Sequence, residues 1–237
     1  MNTEILVQKL VDWLKERVYE AGAKGAVFGM SGGIDSAVVA VLCKKAFGKN
    51  VLGLHLPCYS SQKDEIDAER VAKLYDIPYK KIVLDTVYDA FMKILEPTEN
   101  KNAKINIKPR LRMITLYYYA ASYNYLVVGT GNKSELTVGY FTKYGDGGVD
   151  LLPLGNLVKT KVRELAKYLE IPQDIIEKPP TAGLWEGQTD EGEMGISYKE
   201  LDNYILTGIA SPEVKEKIDL MNKKSEHKRM LPFIPDF

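Results

Sequence analysis

Two cysteines in 237 residues leave no material for a disulfide framework. Cys43 and Cys58 also lack the short paired spacing of a zinc site, so they read as reduced, buried thiols of a cytosolic protein. Net charge is missing too. Lys plus Arg and Asp plus Glu both number 32, so no overall field draws the chain to nucleic acid or to an anionic membrane. Any anion site has to be built locally. No apolar run approaches the length of a membrane span. The opening MNTEILVQKL has an early acid and no apolar stretch ahead of a small-residue cleavage site, so no signal peptide is expected. Repeats and low-complexity segments are absent as well. What remains is the composition of a soluble, cytoplasmic globular chain, 45% hydrophobic and 27% charged. Its length suits one α/β domain over residues 1–237.

Periodicity gives that domain its class. Leu6, Leu10, Leu14 and Val18 recur at helical spacing and predict an amphipathic opening helix over 3–21. Short apolar runs follow at 25–29 (GAVFG), 51–56 (VLGLHL), 81–84 (KIVL) and 125–130 (YLVVGT). Helical patterns alternate with them at 35–47, 63–75, 85–95 and 109–123, and further helices are expected near 159–169, 197–206 and 211–224. Strands with little polar alternation, each followed by a helix, predict a doubly wound parallel sheet flanked by helices. Ligands of such sheets sit beyond the carboxyl ends of the strands. Two polar stretches, 96–109 and the glycine-rich 177–196, read as long loops. Loops of that length inside a compact domain are usually lids or binding loops.

One stretch carries chemistry on its face. SGGIDS (31–36) lies between a strand and a helix, where backbone amides and a helix N-terminus hold anions. Gly32 and Gly33 allow close backbone approach, and Ser31 and Ser36 offer hydroxyl donors to phosphate oxygens. Asp35 is out of place beside a phosphate unless it holds a Mg²⁺ that bridges to the phosphates. A capped tight turn is the plainer reading, but it explains neither the paired serines nor the acid. The spacing is not that of a Walker A loop or of GxGxxG.

SGGIDS resembles the PP-loop of the ATP pyrophosphatase superfamily, whose members split ATP between the α and β phosphates. With VVGTGNKSELTVGYFTKYGDGGVDLLPLGNLVKTKVREL (127–165), PPTAGLWEGQTDE (179–191) and SEHKRMLP (225–232), the chain is similar to the ammonia-dependent NAD synthetases over nearly its whole length. The resemblance implies an adenine-nucleotide alpha-hydrolase-like fold and a homodimer. It also implies amidation of deamido-NAD with ammonia through an adenylated intermediate, releasing AMP and pyrophosphate. ATP would be held by Gly29, Met30, Ser31, Gly32, Gly33, Ile34, Asp35 and Ser36, with Thr130, Lys159 and Thr181. Mg²⁺ would sit on Asp35 and Glu135. Deamido-NAD would meet Arg110, Lys143, Asp150, His227 and Lys228, the last two in a substrate-contacting tail over 225–237. Asp35 and Lys159 would act in catalysis, and Asp146 would lie where ammonia enters. The candidate lid is 177–196.

Several of these residues have plainer explanations. Glu135 beside Lys133 could be a solvated acid on a helix face, Lys159 a surface lysine, and Asp146 an ordinary Asp-Gly turn. Tyr140, Phe141 and Tyr144 around Lys143 suit packing as well as ring stacking. Two rivals keep the loop and change the acceptor: a tRNA-modifying enzyme and a GMP-synthetase-like amination. The first should show a basic patch or catalytic cysteines; the second fits 127–165 less well. A non-enzymatic ATP sensor of the universal-stress type would have no need of the Asp35–Glu135 pair.

Overall fold

The computed structural model describes residues 2–185 and 187–237, so Met1 and Glu186, the latter inside the candidate lid, lie outside the described residues. The chain opens with α1 (Thr3–Glu20), which buries the expected Leu6, Leu14 and Val18 together with Val7 and Val11, while Leu10 is half-buried. Asn2 caps it, accepting from the Glu4 amide. Then β1 (Gly25–Gly29), α2 (Ile34–Phe47), β2 (Val51–His55), α3 (Gln62–Leu74), β3 (Tyr79–Lys81), α4 (Asp85–Ile94), α5 (Lys101–Ile105), α6 (Ile107–Tyr123) and β4 (Tyr125–Val127) follow. The strands form a four-stranded parallel sheet in the order β3-β2-β1-β4. The order reverses direction at β1, so the gap beyond the carboxyl ends of β1 and β4 is the switch point where such folds bind ligands.

Helices cover both faces. On one, α1 and the wholly apolar stretch of α2 pack with Phe28 and Val128. On the other, Val27, Leu54 and Cys58 pack with Ala120 of α6. Residues 34 and 36–43 are all buried, which is why α2 reads as apolar all round rather than amphipathic. Cys43 and Cys58 are buried free thiols, one in each layer, and burial pushes both up from the usual thiol range.

The second half builds around this sheet with α7 (Lys133–Val138), α8 (Lys159–Tyr168), α9 (Gln173–Glu177), α10 (Asp190–Met194), α11 (Tyr198–Thr207) and α12 (Pro212–Lys224). Val138, Met194, Ile196, Tyr198, Leu201 and Ile218 make a smaller core among them. Among the described residues, no helix is long and apolar enough to cross a membrane.

Three local expectations are corrected. The polar stretch 96–109 is not loop throughout: Asn100 accepts from the Ala103 amide to start α5, and Pro109 falls in the first turn of α6, where its missing N–H is harmless. The stretch 177–196 contains α10, capped by Thr189. The third strand is Tyr79–Lys81 rather than 81–84; beyond it the Ile82 and Leu84 amides still donate to His55 O and Pro57 O, but β2 itself ends at His55 and Leu84 leads into α4. The short α7 has no apolar period to announce it.

Candidate active site

The PP-loop leaves β1 with the Met30 amide donating to Leu54 O at 2.8 Å, so the loop stays tied to β2. Ser36, in the first turn of α2, folds back on it. Its Oγ accepts from the Ser31 amide at 3.2 Å and from Ser31 Oγ at 3.0 Å, and donates to Gly33 O at 2.9 Å. Gly32 has φ +77°, and a Cβ there would lie 2.3 Å from the Asp64 carbonyl oxygen of α3. Only glycine fits that close approach. The loop is thus a formed cradle at the N-terminus of a 14-residue helix.

Beside it, residues from five helices converge. Lys159, the first residue of α8, is 1% exposed and pairs with Asp35 of α2 and with Glu135 Oε1 of α7 at 3.2 Å. Its placement comes from unusual capping. Val158 offers no side chain to the α8 amides, so Ser134 accepts from the Lys159 amide and Asp202 of α11 from the Thr160 amide. Glu135 is fixed by a capping box with Asn132, whose side chain also donates to Asp35 Oδ1 at 3.0 Å. Tyr198 lies fully buried beneath, its ring 4.9 Å from Lys159 Nζ. Its hydroxyl donates to Asp190 Oδ2 at 2.9 Å and stands 3.3 Å from Glu135 Oε1.

Charge does not balance here. Asp35, Glu135 and Asp190 face one ammonium, and among the described residues Asp190 Oδ1 is buried without a hydrogen-bond partner. Burial, against the pull of Lys159, raises Glu135 to about 7. Burial also opposes the charge on Lys159, but the two carboxylates outweigh it and hold its pKa above the usual lysine range. Among the described residues, no group of three or more His, Cys, Asp or Glu is arranged to hold a metal unaided. Two acids with surplus negative charge do fit a hard divalent cation that takes its remaining ligands from phosphates and water.

These groups line a cleft of about 440 Å³ beyond the carboxyl ends of the strands. Thr130, Thr181, Asp146 and Lys228 line it as well. Asp146 accepts from the Thr142 amide at 2.9 Å. Lys228 donates to Gly139 O and Phe141 O and so braces the loop that bears Asp146. Arg110, Lys143 and His227 form a chain outside the lining: Arg110 donates to Lys143 O at 3.3 Å, and Lys143 to His227 O at 2.6 Å. Asp150 serves the scaffold, accepting from the Val127 amide at 2.7 Å and the Tyr117 hydroxyl at 2.9 Å. Sequence reasoning missed Asp190, Tyr198 and Arg112. Asp190 sits in the quoted PPTAGLWEGQTDE segment, but nothing local aims it at Lys159; Arg112 had a signal, since residues two apart on a helix face different ways.

A PP-loop at the switch point of a parallel α/β sheet, with a buried lysine set between two acids, defines a protein of the PP-loop class that handles the phosphates of a nucleotide. Residues 6–232 match the family model of NAD synthase, and the chain belongs to that family. It is 54% identical to the NH(3)-dependent NAD(+) synthetase of Carboxydothermus hydrogenoformans, over 99% of this chain and 98% of that one. Its structure is similar to that of the NMN synthetase from Francisella tularensis, with a TM-score of 0.97 and 42% identity over the whole of both chains. The NH3-dependent NAD synthetase from Campylobacter jejuni follows with a TM-score of 0.83 and 34% identity, again over the whole of both.

Proposed function

We infer that this protein is a carbon–nitrogen ligase that amidates deamido-NAD with ammonia at the expense of ATP, giving NAD, AMP and pyrophosphate. The observation that carries this reading is the convergence of Asp35, Glu135 and Lys159 beside the PP-loop, in a chain that belongs to the NAD synthase family throughout. A carboxylate resists ammonia because it lacks a leaving group. Transfer of AMP to the nicotinate carboxylate supplies one, and ammonia then displaces AMP. The chain's part is to position the two anions and neutralise spreading charge. The Gly32 amide and the N-terminus of α2 would hold phosphate oxygens, and Lys159 would share its charge between the phosphates and its acids. Asp35 and Glu135 would hold Mg²⁺, which supplies charge neutralisation on the phosphates when bound. Asp146, at the cleft edge, is the acid that would meet incoming ammonium. Arg110, Lys143 and His227 lie along the surface outward from the cleft, where a second nucleotide half could extend.

A second reading changes the acceptor to the mononucleotide. It is favoured by the 0.97 TM-score to the NMN synthetase and by the fact that, of the five residues implied for the dinucleotide, Lys228 alone lines the cleft. The chemistry is the same, on a substrate without the adenylate half. The test is a competition of deamido-NAD and nicotinate mononucleotide with ATP, Mg²⁺ and ammonium, with products resolved by chromatography. At least about tenfold preference for deamido-NAD is expected, on the order of one good charged contact. Preference for the mononucleotide installs the second reading, and AMP without either amide moves the acceptor elsewhere.

A homodimer is also part of this reading. Helix α4 buries none of its residues yet exposes Val87, Phe91 and Ile94, and α6 beside it exposes Ile114 and Tyr118. Contiguous apolar surface of this kind marks an interface. Phe91→Glu should convert a dimer to a monomer in sedimentation velocity; an unchanged dimer would place the interface elsewhere.

A further inference from the structure

Most of the cations that line the cleft have their ammonium groups already engaged. Lys159 lies between Asp35 and Glu135, and Lys178 is held by Asp64 and Asp67 at 2.7 Å each. Lys228 is taken up by two carbonyls. Arg112 differs. Its Nε donates to Leu56 O at 3.0 Å and its Nη2 to Ser60 Oγ at 3.2 Å, both just beyond β2. Those two bonds fix the plane of the guanidinium, while Nη1 makes no hydrogen bond among the described residues. No carboxylate is paired with Arg112 there either. Asp146 and Asp64 act on it only across space, and burial lowers its pKa from the ordinary arginine value. One turn earlier, Lys108 is 8% exposed, with its ammonium on Leu184 O at 2.9 Å and 5.7 and 5.8 Å from the rings of Tyr59 and Tyr88. It too has no carboxylate partner among the described residues. Arg112, half-buried in the cleft lining with Lys108 behind it, therefore brings positive charge to this wall with no carboxylate bonded to it among the described residues.

We propose that Arg112 is a substrate-binding residue whose Nη1 edge receives an oxyanion of the reacting groups, either the acceptor's carboxylate or a phosphoryl oxygen of ATP. Its position suits that role, since it lines the same cleft as the PP-loop, tied to the segment after β2 on one side and within reach of the Asp146 charge on the other. A guanidinium whose plane is already fixed binds an oxyanion with little further ordering. The proposal rests on the ligase reading above.

The test uses the full chain with Arg112→Gln and Arg112→Lys, measuring kcat and KM for each substrate together with Tm. Arg112→Gln should lose about 10- to 100-fold in kcat/KM for the substrate whose oxyanion is held, and Arg112→Lys should recover part of it. A loss confined to the acceptor identifies the carboxylate; a loss in the KM for ATP identifies the phosphoryl oxygen. Both constants within about twofold of wild type would overturn the proposal, as would equal losses in both variants that merely track a fall in Tm. If wild-type protein amidates no acceptor, the ligase reading fails separately. Protection by ATP and by pyrophosphate in a thermal shift then decides the case. Loss of protection in Arg112→Gln upholds the oxyanion site, and full protection removes it.

Discussion

Asp35→Ala should fold and should turn over about 10²- to 10³-fold more slowly than wild type, or below detection. The side chain is 16% exposed at the cleft floor and binds Lys159 and Asn132, both of which keep other partners when it is gone. Lys159 retains Glu135, and Asn132 retains its capping box. Little stability is therefore at stake, and the loss falls on the acid that would carry Mg²⁺ and set the lysine against the phosphates. The measurement is NAD formation coupled to an alcohol dehydrogenase, with the unfolding midpoint as control. Near-normal turnover would take Asp35 out of the chemistry.

Lys159→Met should cost stability as well as activity. Removing the ammonium leaves Asp35, Glu135 and Asp190 gathered around Tyr198 with no cation. Breaking a buried pair from one side costs about 3–5 kcal/mol. For a chain of this size that is roughly 6–20 °C in Tm. Added Mg²⁺ should restore part of it, because the same carboxylates then face a cation again. Urea unfolding with and without Mg²⁺ reads both effects. A loss below about 1 kcal/mol would mean that the acids relax into solvent, and that the lysine is not what holds them together.

The architecture was legible because the strands from 25, 51 and 125 and the helices between them carry strong apolar patterns, and the PP-loop residues fell where a strand–turn–helix must put them. The helices at 101–105, 133–138 and 190–194 were not. Each is five or six residues long and is started by side-chain capping rather than by an apolar face, so there is no period to read. The quoted motifs named most of the residues in the cleft but not their couplings. Nothing near Lys159 in the sequence says that Asp202 caps its helix or that Tyr198 lies beneath it, because those contacts are made by elements about forty residues away. Arg110 drew attention ahead of Arg112 because the family resemblance implied it as a substrate contact. Only the turn of the helix shows which arginine faces inward.

The sheet order also governs how the site comes together. Asp35 follows β1 and Asn132 follows β4, and the bond between them joins residues 97 apart. Pairing neighbouring strands across such a span requires the intervening chain to be closed into a loop, at an entropic cost that a local hairpin does not meet. The PP-loop is local to β1 and α2, whereas Asn132 and Glu135 come beside Asp35 only when β4 pairs with β1. The cleft is therefore completed by the one strand pairing that joins the two halves of the chain.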